Sequence, residues 1–152
     1  MPKVTLTNMV MIQNKDTGEV LAQDRIISWK GLSFPGGHVE NDESIIDSAV
    51  REVQEETGIT PHNLKFCGIF HWLNNETFER YLVFLFKTSD YSGELMSESN
   101  EGRNFWISLD EFKNTPSENQ MPQRYLPIFL EDKYCEALGL WNENESFDII
   151  YN

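Results

Sequence analysis

Apolar positions along the chain change period several times, and the changes mark its elements. Val4, Leu6 and Met9 to Ile12 carry the spacing of a strand, and Asn14-Lys15-Asp16-Thr17-Gly18 is a turn signal leading into a second strand, Glu19 to Ile27. The chain is therefore expected to open on a hairpin. Trp29 to Gly37 ends in Phe34-Pro35-Gly36-Gly37, a run that cannot continue a helix and that lets backbone approach a ligand closely. It predicts a loop with a short strand at its end. From Glu43 to Thr57 the spacing turns helical, with Ile45, Ile46, Ala49, Val50 and Val53 on one stripe and Glu52, Glu55 and Glu56 centred about 100° away around the axis. Asn41 or Asp42 is placed to cap this helix, Gly58 to stop it, and Pro61 to prevent its resumption.

Beyond that helix, Leu64 to Trp72 and Arg80 to Thr88 read as strands joined by a polar connection, and Asn104 to Ser108 as a third. Leu109 to Phe112 predicts a short helix, Thr115 to Pro122 a loop, and Arg124 to Leu138 a longer helix with Pro127 as a candidate start. The tail from Gly139 mixes Trp141, Phe147, Ile149, Ile150 and Tyr151 with acidic residues, too apolar for a disordered tag. Closing the fold, covering a site and joining a homodimer are its open roles. Without a repeat, low-complexity run or linker, residues 1–152 are expected to form one domain.

Charge narrows the partners. Twelve basic against 25 acidic residues give a net charge of −13, which argues against holding long nucleic acid on a basic patch. A single nucleotide whose phosphates arrive with a divalent cation is compatible with an acidic site. Cys67 and Cys135 form no C-x-x-C pair, and His38, His62 and His71 lack ligand spacing, so buried thiols and structural histidines are the simpler reading. No stretch approaches the ~20 apolar residues of a membrane span, and a cytoplasmic protein with no membrane partner is expected.

The candidate chemistry lies between Gly37 and Ile59. Glu52, Glu55 and Glu56 fall within one helical turn, where their mutual repulsion costs a few tenths of a kcal/mol per pair, near a helix C-terminus that already disfavours negative charge. A hard divalent cation gathered between them would offset that cost, and Arg51 can steady the cluster by pairing with a neighbouring carboxylate. Gly37, Glu43, Arg51, Glu52, Val53, Glu55, Glu56, Gly58 and Ile59 together match every specified position of the Nudix box. The chain thus resembles the Nudix hydrolases, and its compact layout is similar to their MutT-like branch.

That resemblance implies an α/β fold, an α/β/α sandwich with a mixed sheet between the box helix and a C-terminal helix. It implies an Mg²⁺-dependent hydrolase, with Mn²⁺ as a substitute, that cleaves a nucleoside diphosphate linked to a group X. A nucleoside triphosphate cut to the monophosphate and pyrophosphate, 8-oxo-dGTP among them, is the leading substrate expectation. Nucleotide sugars, dinucleoside polyphosphates and a non-catalytic nucleotide-binding module are the alternatives. By family position the metal ligands are Glu52, Glu55, Glu56 and the Gly36 carbonyl, with Glu52 as first choice of general base, held by Arg51, and Glu101 as a further ligand or base. An ordinary loop carboxylate is the competing account for Glu101, Glu98 is a weaker version of the same idea, and Glu40 and Glu43 support the loop-helix geometry or an outer metal. Arg25, Phe34 and Asn119 are the candidate substrate contacts, against a surface ion pair for Arg25 and core packing for Phe34.

Overall fold

A computed structural model describes residues 1–118, 120–143 and 148–152. The chain runs β1 (Val4–Ile12), β2 (Val20–Arg25), β3 (Gly31–Ser33), α1 (Ile45–Thr57), β4 (Ile59–His62), β5 (Lys65–Asn74), β6 (Arg80–Thr88) and β7 (Asp90–Gly93). It continues through β8 (Glu98–Ser99), β9 (Gly102–Ile107), α2 (Leu109–Asn114), α3 (Met121–Leu130), β10 (Glu136–Trp141) and β11 (Asp148–Tyr151). The main sheet has the order β1-β6-β5-β10-β11 and is mixed: β1 lies parallel to β6 and β5 to β10, while β5-β6 and β10-β11 are antiparallel. A second sheet, β3-β2-β9-β8, and a ribbon, β4-β7, accompany it where a single sheet was expected.

Alternate residues of the same strands feed two cores. Val10 and Ile12 of β1, Leu21 of β2 and Phe86 of β6 pack with Ala49 and Val53 of α1, while Met11, Ala22, Val83 and Leu85 point the other way, toward Tyr125, Ile128 and Phe129 of α3. Period-two side chains on strands buried on both faces produce this division, and it sets the main sheet between α1 and α3. The α/β/α arrangement follows from it.

The expected opening hairpin does not form. Asn14 organises the turn by accepting from the Asp16 and Thr17 N–H groups, but among the described residues the ladder between the two segments stops at the bridge Gln13–Val20 and the bond from Asn14 N–H to the Glu19 carbonyl at 2.8 Å. The edge of β1 is already taken by residues 35–39: Asn8 N–H donates to the Gly37 carbonyl at 2.9 Å, Val10 N–H to Pro35 at 2.9 Å, and Val39 N–H to Leu6 at 3.0 Å. Gly36 permits this approach, since a Cβ there would strike the Asn8 carbonyl and come within 2.8 Å of the Met9 Cα. β2 is thereby diverted to β3 and β9.

Two helix expectations also need correction. α1 starts at Ile45, with Ser44 as its cap, its Oγ accepting from Asp47 N–H; neither Asn41 nor Asp42 caps it. Its buried stripe includes Ser48, Ala49, Val53 and Glu56, whereas Ile46 is 51% exposed. Gly58 ends the helix in the left-handed region at φ 78°, as its position suggested. The later helix occupies Met121–Leu130 rather than Arg124 to Leu138, with Pro122 in its first turn and Pro127 inside it. Glu136 to Leu138 belong to β10, because the parallel edge of β5 offers them a full ladder of partners. The tail from Gly139 accordingly completes the main sheet, and Phe147 lies outside the described residues. No helix among the described residues is long and apolar enough to cross a membrane.

Candidate active site

The glycine loop laid along β1 faces the acidic edge of α1. Gly36 N–H donates to Glu56 Oε2 at 3.3 Å, and a Cβ on Gly37 would lie 2.6 Å from either carboxylate oxygen of Glu52. The space a side chain would need at Gly37 is filled by the Glu52 carboxylate. Two buried amides brace the helix from behind. Asn8 Nδ2 donates to Ser48 Oγ at 2.9 Å, and Asn104 Nδ2 donates to the carbonyls of Glu56 (2.8 Å) and Met96 (3.0 Å). Gln23 Nε2 in turn donates to Asn104 Oδ1 at 3.2 Å. The Glu56 carbonyl belongs to the last turn of α1, whose carbonyls have no intrahelical donor, so Asn104 supplies what the helix end lacks.

Arg51 is the hub of the acidic edge. Its guanidinium forks onto Glu43, Nε to Oε2 at 2.9 Å and Nη2 to Oε1 at 2.8 Å, and Nη1 donates to Glu52 and to Glu55 at 3.1 Å each. Nη2 also reaches the His38 carbonyl at 3.1 Å, which ties helix to loop. The paired guanidinium holds the Glu43 carboxyl down at about 2, and the Arg51 pKa rises in return.

The three glutamates do not share one environment. Glu55 is 61% exposed and turned to Arg51, the Glu52 side chain is 17% exposed, and Glu56 is 7% exposed. Burial pushes Glu52 up against the pull of Arg51. Burial, reinforced by the charge of Glu52, pushes Glu56 up to about 8 despite its bond from Gly36. Among the described residues no three carboxylate, histidine or cysteine side chains stand together as a ready metal cage, so the expected convergence on one point is not present as such. What is present is the buried carboxylate of Glu56 repelled by the half-buried one of Glu52, with exposed Glu55 beside them. That site is short of positive charge, and its donors are hard oxygens of the kind Mg²⁺ takes.

Arg25 and Glu101 complete this end. They pair at 3.5 Å, Arg25 Nε also donates to the Ser28 carbonyl at 2.9 Å, and the charges of both are felt at Glu56. The ion pair considered for Arg25 exists but is half-buried rather than on the open surface, and the same residue lines the cavity that opens beside the glycine loop. Glu98 lies on β8, where its residue pairs with Arg103 of β9. Glu40 donates its N–H to Glu43 Oε1, so both belong to the loop-helix junction.

The cavity has a volume of about 550 Å³. Gly36, Gly37 and Arg25 line one side, and Trp72, Tyr81, Tyr125 and Trp141 supply aromatic surface. Trp72 Nε1–H donates to Tyr125 Oη at 2.7 Å, and Tyr125 stacks on Phe70 with centroids 4.2 Å apart. Phe34 also lines the cavity, but it is 1% exposed and stacked on Phe112 at 4.5 Å, so most of its surface serves the core. Asn119 lies outside the described residues. The aromatic wall escaped the sequence reading, although the alternation of Phe70, Trp72 and Asn74 signalled one buried strand face. Which strands share that face is a matter of sheet order, which local patterning does not carry.

A profile of the NUDIX domain matches residues 4–127. The uncharacterized Nudix hydrolase YvcI of Bacillus subtilis (strain 168) is 33% identical over 114 residues, covering 73% of this chain and 70% of that protein. The NAD-capped RNA hydrolase NudC of Pseudomonas aeruginosa is 30% identical over 85% of this chain, which spans 45% of NudC. Among solved structures, the MutT protein of Bacillus halodurans superposes with a TM-score of 0.81 at 24% identity, over 97% of each chain.

Proposed function

Because this chain belongs to the Nudix hydrolase family, enzymes acting on pyrophosphate bonds, we propose that it hydrolyses a nucleoside diphosphate linked to a group X with the help of a divalent cation, Mg²⁺ or Mn²⁺. The leading substrate is a nucleoside triphosphate, 8-oxo-dGTP included, cut to the monophosphate and pyrophosphate. One observation carries this reading: the carboxylates of α1 abut Gly36 and Gly37 at the edge of a cavity that also carries the aromatic surface of Trp72, Tyr81, Tyr125 and Trp141. Phosphates and a flat base thus each have a matching end.

Glu52, Glu55, Glu56 and the Gly36 carbonyl would hold the cation. When bound, it supplies neutralisation of phosphate charge and acidification of water. The other steps fall to the chain. Arg25, kept in place by Glu101 and the Ser28 carbonyl, meets a phosphate oxygen. Arg51 holds Glu52 Oε1, which leaves Oε2 to accept the proton of the attacking water. Burial raises the proton affinity of Glu52, as a base working near neutral pH requires. Glu101 is the second carboxylate able to take that proton.

The test is release of phosphate or pyrophosphate with Mg²⁺ from a panel of nucleoside triphosphates, nucleotide sugars and dinucleoside polyphosphates, comparing the unaltered protein with Glu56→Gln. Product from at least one class, lost in Glu56→Gln and on chelation, is expected. No product from any class, with a nucleotide still raising the melting temperature of both proteins, would replace the enzyme by a binding module.

A further inference from the structure

Strand register builds the floor of the cavity. Thr7 lies opposite Val83 and Trp72 opposite Tyr81, so β1, β6 and β5 present these residues on one sheet face. On β10, Gly139 lies opposite Trp72 and Trp141 opposite Asn74, which puts positions 139 and 141 on that same face. Three strand spacings of ~4.8 Å separate β1 from β10, so the cavity floor extends about 14 Å from β1, beside the glycine loop, to β10. Gly139 makes the far end possible, because a Cβ there would fall 2.6 Å from Cε3 of the Trp72 indole. Trp141, Asn142 and Glu143 all line the cavity, and all lie beyond residue 127, where the NUDIX match ends.

The two ends differ in chemistry. Near the glycine loop stand Arg25 and the carboxylates of α1, suited to phosphates and their cation. At the far end Trp72 and Trp141 offer apolar aromatic surface, and Glu143 adds a carboxylate. A nucleobase brings large flat surface to such a wall. A carboxylate accepts two hydrogen bonds side by side, and guanine presents two adjacent N–H donors on its pairing edge. Adenine and cytosine set a ring acceptor beside their amino group, and that lone pair would face the carboxylate. Opposed lone pairs disfavour those bases.

Resting on the nucleotide-hydrolysing reading above, we propose that the end of β10 is a specificity element, in which Trp141 packs against the nucleobase and Glu143 selects a guanine-type edge. The test uses the full chain, unaltered and as Trp141→Ala and Glu143→Gln. It reads KM and kcat for GTP, ATP, CTP and UTP with Mg²⁺, and calorimetric Kd values for GMP and AMP, which need no turnover. The unaltered protein should favour guanine in both KM and Kd. Glu143→Gln should weaken guanine nucleotides about tenfold through KM and, because its amide N–H meets the ring acceptor that the carboxylate opposed, should lower KM for ATP and CTP. Trp141→Ala should raise KM for all four by about tenfold. Glu143 is exposed, so its variant keeps the fold even where Trp141→Ala does not. Absence of a guanine preference in the unaltered protein, or its survival in Glu143→Gln, overturns the inference. GMP binding that depends on Glu143, with no product from any triphosphate, nucleotide sugar or dinucleoside polyphosphate, would uphold it and sink the hydrolase reading; turnover with unchanged selectivity in Glu143→Gln would do the reverse.

Discussion

Replacing Asn104 with leucine tests whether the glutamate-bearing end of α1 is held by the second sheet. Asn104 is 5% exposed and makes three bonds: to the carbonyls of Glu56 and Met96, and from Gln23. Leucine has the same branched heavy-atom outline, so no cavity is added, but the buried Glu56 carbonyl, the half-buried Met96 carbonyl and the buried Gln23 amide lose this partner. At about 1 kcal/mol per lost bond, the variant should be about 3 kcal/mol less stable, a fall in Tm of about 6–12 °C for a chain of this length. Urea unfolding followed by tryptophan fluorescence, with EDTA present so that bound metal adds nothing, measures the loss at an unchanged m-value. Among the described residues Gln23 Oε1 has no partner, so Gln23→Leu exchanges that buried orphan for Asn104 Oδ1 and should be close to neutral. The double variant should then lose less than the sum, with a coupling of about 1 kcal/mol. A loss below about 1 kcal/mol for Asn104→Leu, or strict additivity with Gln23→Leu, would refute the relay from Gln23 through Asn104 to the helix end.

Other outcomes follow from the same geometry. Gly37→Ala forces a methyl group into the place of the Glu52 carboxylate, so kcat should fall on the order of 10²-fold while thermal melting changes little; unchanged kcat would contradict the close approach. Ser44→Ala should cost about 1 kcal/mol in urea titration, whereas Asn41→Ala and Asp42→Ala should cost nothing measurable, since only Ser44 caps α1. The two shifted carboxyls act in opposite directions with pH. Glu43, held at about 2, contributes stability that is present above its ordinary pKa of 4.5 and is lost as pH falls toward 2, a slope Glu43→Gln should flatten. Glu56, raised to about 8 without metal, costs stability progressively as pH rises from 4.5 to 8. Metal-free Glu56→Gln should therefore gain on the unaltered protein over that window and lose the advantage near pH 4.5, as urea midpoints across pH would read.

Local signals settled what local forces settle. The αL stop at Gly58 and the strand Arg80 to Thr88 were legible because a capping glycine and an alternating run act through near neighbours in the chain. The acidic turn and Arg51 were legible for the same reason, since residues a turn apart on a helix meet whatever surrounds them. The amphipathic stripe was legible only in part. Ile46 belongs to it by spacing yet faces solvent, and Glu56 lies buried, because the true packing face is decided by what β1 and β6 present to the helix.

The tail and the hairpin show where that reach ends. Glu136 to Leu138 fit a helical spacing, but the free edge of β5, far away in sequence, offers a ladder of backbone bonds that a frayed helix end does not. The turn at Asn14 was read correctly, and its strands still part, because residues 35–39 compete for the same edge of β1. Alone, then, the sequence determined the acidic turn of α1 and the glycines beside it, and with them the family of chemistry. Tertiary structure decided which carboxylate is buried and which is solvated, and it brought Trp72 and Trp141 to one cavity face. Desolvation and sheet order depend on contacts between distant segments, and no window of local spacing contains them.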